Sequence, residues 1–316
     1  MESVQTEATD LPTITAAADA QSDVLGAVAP QACASCGSKP APAGPAPAGQ
    51  AGIPGPRPAG PSFVFAAGVI EPLFCSRAVE EEFTRLRGNI NAAGLSDQQA
   101  LRKVLKDKEH FYLAQSMGWT FSVGNVVTYL LAPSVPGEVG QFLDTLEDEP
   151  DPARIHLALG VKGPLAPPER CNGMMLPIVV VHKLWVTKKS TLVAAIQDQR
   201  REKTSAKEFA VVAEEIFDRL IDRAASEGSS HEQRAITFAA FCCPQVYNLV
   251  VEYYEKNYSL KRVYAQRAPV TSLRAMTDVR FVFEDRTRDR EDTWSLLIDT
   301  QEMFMFPVSK LRQRFD

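Results

Sequence analysis

The chain has 316 residues with 34 Lys and Arg against 39 Asp and Glu, a formal net charge of −5 and a pI near 5.6. That balance argues against a nucleic-acid partner, which needs a clustered basic face to meet phosphates. No apolar run reaches the roughly 18 residues of a membrane span, and 45% apolar with 23% charged residues is ordinary globular composition.

The N-terminus, MESVQTEATD, is acidic and lacks the basic and apolar regions of a secretory signal. Six cysteines in a chain of this length do not make a disulfide framework, so a cytoplasmic protein with reduced thiols is expected.

Residues 1–60 read as a disordered tail. Asp, Glu, Thr and Ala give way to KPAPAGPAPAGQAGIPGPRPAGP, a composition that buries too little apolar surface to offset its ordering entropy. Inside it sits Cys33-Ala-Ser-Cys36. Two thiolates at this spacing reach one zinc, but a structural site needs four ligands, and no second CxxC or HxxxH follows. A redox pair would sit at a helix N-terminus in a thioredoxin-like unit. Three readings stay open: a silent pair, half a metal site completed elsewhere, and a covalent or redox handle.

A folded domain is expected over 61–316. Phe63 to Ile70 reads as a buried strand ended by Glu71-Pro72. Ser76 caps a helix with the stripe Val79, Phe83, Leu86, Ile90, and Gly94 breaks it; Ser96-x-x-Gln99 opens another as a capping box. A helical stretch over His110 to Met117 leads to Trp119–Leu131, which reads as one strand bent at Gly124-Asn125. A short helix over Val139 to Leu146, a strand over Arg154 to Val161 and a strand over Leu176 to Val186 follow. Ser205-x-x-Glu208 and Ser229-x-x-Glu232 each open a helix, predicting an antiparallel helical hairpin, the second helix interrupted at Pro244. After Asn257 the pattern turns to period two, giving a three-strand meander over Leu260–Arg267, Ala275–Glu284 and Thr293–Asp299. The fold class is α+β, helices on a mixed or antiparallel sheet.

Catalytic signals are sparse. There is no Walker loop, GxGxxG, HExxH, GxSxG or EF-hand loop, and only four histidines. One constellation centres on the stretch Gly160–Val181, GVKGPLAPPERCNGMMLPIVVV. If its flanking strands pair, Cys171, His156, His182 and Glu169 converge, as a zinc site or a Cys–His nucleophile pair. The plainer alternative is a small buried Cys171 with the histidines satisfied or at the surface. Asn172-Gly173 suits the left-handed turn that returns the chain to a strand. Glu169, Cys171, Asn172 and Gly173 are the candidate binding residues.

The strings PSFVFAAGVIEPLFCSRAVEEEF from Pro61 and GVKGPLAPPERCNGMMLPIV from Gly160 resemble the C-terminal domain of unknown function of cyanobactin maturation proteases of the patellamide PatG/PatA type. KEFAVVAEEIFDRLIDRA, HEQRAITFAAFCCPQVYNLV and the FPVSKLRQRFD ending add support, so the resemblance spans roughly residues 61–316, with APPE-x-CNG its most specific piece. The family's subtilisin-like catalytic set has no counterpart here, so protease activity is not carried over. Cys171 falls within the family pattern while His156 and His182 do not, which weakens the metal and nucleophile readings.

The resemblance implies a setting in which ribosomally made peptides are modified. The leading expectation is a non-catalytic accessory protein that holds a precursor peptide or a modifying enzyme, without a cofactor; a homo-oligomer is compatible with it. The alternatives are a thiol- or zinc-dependent enzyme centred on Cys171, and a tail whose Cys33 and Cys36 are themselves modified or dock elsewhere.

Overall fold

A computed structural model of the chain describes residues 62–89, 94–146, 153–170, 172–198, 217–218, 221, 226–269 and 274–315. The tail with Cys33 and Cys36, Cys171, and nearly all of the helix expected after Ser205 lie outside these residues, and with that helix the expected helical hairpin. The fold is α+β.

Five strands close into a barrel, where the sequence predicts four strands in a mixed or antiparallel sheet. β1 (Ser62–Leu73) pairs antiparallel with β4 (Arg154–Leu165) through Gly68 and with β2 (Gly118–Val123) from Val69 onward. β2 continues into β3 (Val126–Pro133), β3 runs parallel to β5 (Pro177–Lys188), and β5 returns antiparallel to β4, completing the order β1-β2-β3-β5-β4.

Two expectations about these strands change. β1 does not stop at Glu71-Pro72 but runs on to Leu73. Pro72 is tolerated because β4 no longer flanks β1 there, so its missing N–H breaks no ladder on that side. Trp119–Leu131 is not one bent strand but a hairpin: Val123 pairs with Val126 around a two-residue turn, with Gly124 at φ 55° and Asn125 at φ 65°. Two left-handed residues in succession match the right-handed twist of the strands they join.

The barrel interior is built by alternation: Val64, Ala66 and Ile70 on β1, Trp119, Phe121 and Val123 on β2, Tyr129 and Leu131 on β3, Ala158 on β4, Val179 and Val181 on β5. The helices between strands extend this core. α1 (Arg77–Asn89) adds Phe83 and Leu86; α2 (Asp97–Leu105), opened by the expected Ser96–Gln99 capping box, adds Leu101, Val104 and Leu105; α3 (Phe111–Ser116) and α4 (Val139–Leu143) add Leu113, Phe142 and Leu143.

The opposite face of β1 and β4, carrying Phe65, Ala67, Leu157 and Leu159, belongs to a second core. Both faces of these strands are therefore buried, which is why FVFAA and LALG are continuously apolar instead of alternating. Against them pack α5 (Lys189–Asp198), a helix not anticipated from the sequence, then α6 (His231–Cys242) and α7 (Pro244–Glu255). The α6 N-cap is Ser230 and not Ser229: its hydroxyl accepts from the Gln233 N–H at 3.1 Å, while the Gln233 side chain accepts from the Ser230 N–H. Pro244 begins α7 after a 75° bend, since a proline at the first helical position loses no hydrogen bond. No single helix among the described residues is long and apolar enough to cross a membrane.

The predicted meander is present as β6 (Tyr258–Arg267), β7 (Met276–Asp285) and β8 (Glu291–Asp299). Val279, Phe281, Phe283, Leu296 and Ile298 face the helices. β9 (Phe306–Pro307) and β10 (Arg312–Arg314) both pair with β8, so the FPVSKLRQRFD ending is part of this sheet.

Candidate functional site

The segment between β4 and β5 folds back on the barrel as a closed loop. Its neck is the Ala166 N–H donated to the Leu176 carbonyl at 2.7 Å. Inside, Pro168–Arg170 make one 3-10 turn, and the Gly173 N–H reaches the Pro168 carbonyl at 2.8 Å. Asn172 (φ 47°) and Gly173 (φ 85°) take the left-handed conformation that reverses the chain, the expectation drawn from the Asn-Gly pair. Ala166 is buried against Leu130, with Leu73, Met174, Leu176 and Ile178 around them. This small satellite core pins the loop to the ends of β1, β3 and β5.

Between the loop and the barrel end lies a groove of about 470 Å³, within the size range of ligand pockets. Its floor is apolar: Met117, Trp119, Leu130, Leu131, Pro133 and Ile178, with Pro136 and Val139 at one side. Glu169 and Arg170 of the loop and Cys75, two residues beyond β1, line the other side. The Cys75 thiol donates to the Arg170 carbonyl at 3.0 Å, joining the two. Trp119 is 2% exposed and its ring packs on Phe142 at 5.3 Å, but its Nε1–H has no hydrogen-bond partner among the described residues. A buried indole donor left unmade is costly; it belongs to the barrel core and has no surface open to the groove.

Of the sequence-derived candidates, Glu169 lines the groove, while Asn172 and Gly173 shape the turn behind it. Cys171 follows Arg170 directly but lies outside the described residues. The two histidines do not meet. His156 is buried on β4 with the inward parity of Ala158, whereas His182 is exposed on β5. A zinc shared by both is not built, and no group of three or more His, Cys, Asp or Glu among the described residues is arranged for a metal. Cys242 and Cys243 are thiols pushed up to about 12 by burial, so they stay protonated and unreactive.

His156 has a structural task instead. Its Nδ1 accepts the Ile70 N–H at 3.2 Å, just where β1 leaves β4 for β2. Burial, reinforced by the nearby Arg154 charge, pushes its pKa down to about 4. The unfolded chain takes up this proton near pH 6.5 and the folded chain only near 4, so the stabilisation is complete above 6.5 and lost as pH falls towards 4. Urea unfolding at pH 7.5 and 4 is expected to show a loss of roughly 3 kcal/mol from this group. His156→Asn should remove that part of the pH dependence; an unchanged slope would assign it to other groups.

Cys75 and Trp119 were not legible as site residues. Cys75 is 95 residues from its hydrogen-bond partner, and Trp119 reads as core, which it also is.

Comparison with known proteins bears on this loop directly. The family model described as PatG Domain matches residues 63–266, a span that includes the whole loop and both its strands. A solved structure titled "PatG Domain of Unknown Function" matches with a TM-score of 0.64 and 17% identity, covering 80% of this chain and 98% of that one. Among curated proteins, no match was found. Over a match of that length, the chain belongs to the PatG domain family.

Proposed function

We propose that this protein is a non-catalytic accessory component of a pathway that modifies ribosomally made peptides of the cyanobactin kind, and that it holds a peptide segment in the groove beneath the Pro168–Arg170 turn. The supporting observation is the composition of that groove. An apolar floor and a flanking Glu–Arg pair suit an extended peptide, whose side chains fill the floor. A nucleic acid would want basic residues where this groove has a single arginine.

The lining also argues against thiol catalysis at this place. A nucleophilic cysteine needs a base within hydrogen-bond reach. Among the described residues, no histidine lines the groove, and the Cys75 thiol is turned to a carbonyl.

Calorimetric titration of the full chain with a cyanobactin-type precursor peptide, and with the peptide-modifying enzymes of such a pathway, tests the proposal. Binding to the peptide or to one of the enzymes is expected, weakened about tenfold by Ala132→Trp, which fills the groove from β3. Absence of binding to every one of them would overturn the proposal.

A further inference from the structure

At the other end of β1, a second cavity of about 360 Å³ is lined by Ser62, Phe63, Ser229, His231, Arg234, Gln301 and Glu302. Its distinctive member is Arg234, only 2% exposed although it carries a full positive charge. The guanidinium donates to the carbonyls of Glu302 (3.0 Å) and Thr300, and stacks on Phe63 with 5.4 Å to the ring centroid. His231 Nδ1 lies 2.9 Å from the Thr300 carbonyl, 3.0 Å from the Thr300 hydroxyl and 3.4 Å from Arg234 Nη2.

No carboxylate among the described residues comes within ion-pair distance of Arg234; the Glu302 side chain stays at the exposed rim and compensates only from afar. Two carbonyls thus meet two of the five donors that a guanidinium presents. Burial lowers the Arg234 pKa to about 10, the direction expected of a cation short of counter-charge. Arg234 is also in the first turn of the 12-residue α6, whose N-terminus adds positive potential to the same cavity. A buried charge of this kind is retained at lower cost when an anion completes it.

We propose that this cavity is a carboxylate-binding site with Arg234 as the charge partner, and with the hydroxyls of Ser62 and Ser229 and the Gln301 amide as polar contacts at its mouth. Its ligand is a small organic acid or the C-terminal carboxylate of a peptide. The site stands apart from the groove, so it does not depend on the groove's reading.

The test follows the Nε–H resonance of Arg234 in the full chain by ¹⁵N NMR at constant ionic strength. The probes are acetylated alanyl-alanine with a free carboxylate, the same dipeptide amidated, and sodium acetate. A saturable shift with the free acid, half-complete at about 1 mM, and none with the amide is expected. Acetate acting as well as the dipeptide acid identifies a small organic acid as sufficient; the dipeptide acid acting alone identifies a peptide terminus. Gln301→Glu, which keeps its acceptor for the Ala275 N–H, is expected to weaken binding about tenfold through repulsion. Equal responses to acid and amide, or no response to any probe, would show that Arg234 only clamps the Thr300–Glu302 carbonyls and would overturn the proposal. Peptide binding in the groove is read at Leu130 and Ile178, so the two can fail separately.

Discussion

Asp278→Ala is expected to destabilise the protein by about 3–5 kcal/mol, in the range found when one partner of a buried charge pair is removed. Asp278 lies on β7 with no exposed surface. Its neighbours Val279 and Thr277 turn towards the helices or the sheet end, whereas Asp278 points to the other face of the sheet, beside Arg280. One carboxylate oxygen accepts from the Ser295 hydroxyl; the other accepts from Arg280 Nε at 3.1 Å and Arg314 Nη2 at 3.0 Å. Removing the carboxylate leaves two guanidiniums facing each other and Ser295 without its acceptor. Because Arg314 is on β10, the C-terminal strand should detach first. Hydrogen exchange is expected to show loss of protection at Arg312–Arg314 before β7 opens. A variant within about 1 kcal/mol of the parent in urea would mean the arginines find water as easily as they found Asp278.

Gly228→Ala is expected to cost about 3–5 kcal/mol, combining left-handed backbone strain with forced overpacking. Gly228 has φ 62°, and a Cβ there would stand 2.1 Å from the Phe65 carbonyl oxygen and 2.9 Å from the Ala66 nitrogen. Neither can move freely. The Phe65 N–H donates to the Gly228 carbonyl at 2.9 Å, and the Tyr129 hydroxyl donates to the Glu227 carbonyl at 2.8 Å, so this loop is tied to two barrel strands. Gly137→Ala is the control: nothing lies within 4 Å of its would-be Cβ, and a change within about 0.5 kcal/mol is expected. Equal effects of the two substitutions on the thermal midpoint would contradict the assigned contact.

Local grammar was the most legible part of this chain. The Ser96–Gln99 box and the three meander strands follow from short-range rules, because their hydrogen bonds join near neighbours. Ser229 and Ser230 both start an S-x-x-E/Q pattern, and choosing between them required tertiary context. Barrel closure was not legible, since the β1–β4 and β3–β5 pairings join strands separated by other elements. The Gly124-Asn125 hairpin hid inside a continuous β-branched and aromatic run, where the apolar pattern outweighed a two-residue turn.

The site divides in the same way. Proline pairs and an Asn-Gly step announce the loop after β4, and the loop is there. The same stretch pointed to two histidines, but one is buried and the other exposed, so pairing of their strands was not enough to bring them together. What the loop actually meets, the Cys75 thiol and the Leu130 side chain, comes from elements far away in sequence. Arg234 carries no local mark either: within HEQRAITFAAF it reads as an exposed charge on a capped helix, and only the arrival of Thr300 and Glu302 buries it.

The central claim, that the groove under the Pro168–Arg170 turn holds peptide, is most directly tested at the side chains of its floor. The methyl resonances of Leu130 and Ile178, on the groove floor, are expected to shift saturably on addition of the precursor peptide. If peptide binds while these resonances stay fixed and others move, the groove is not its site and the claim is wrong.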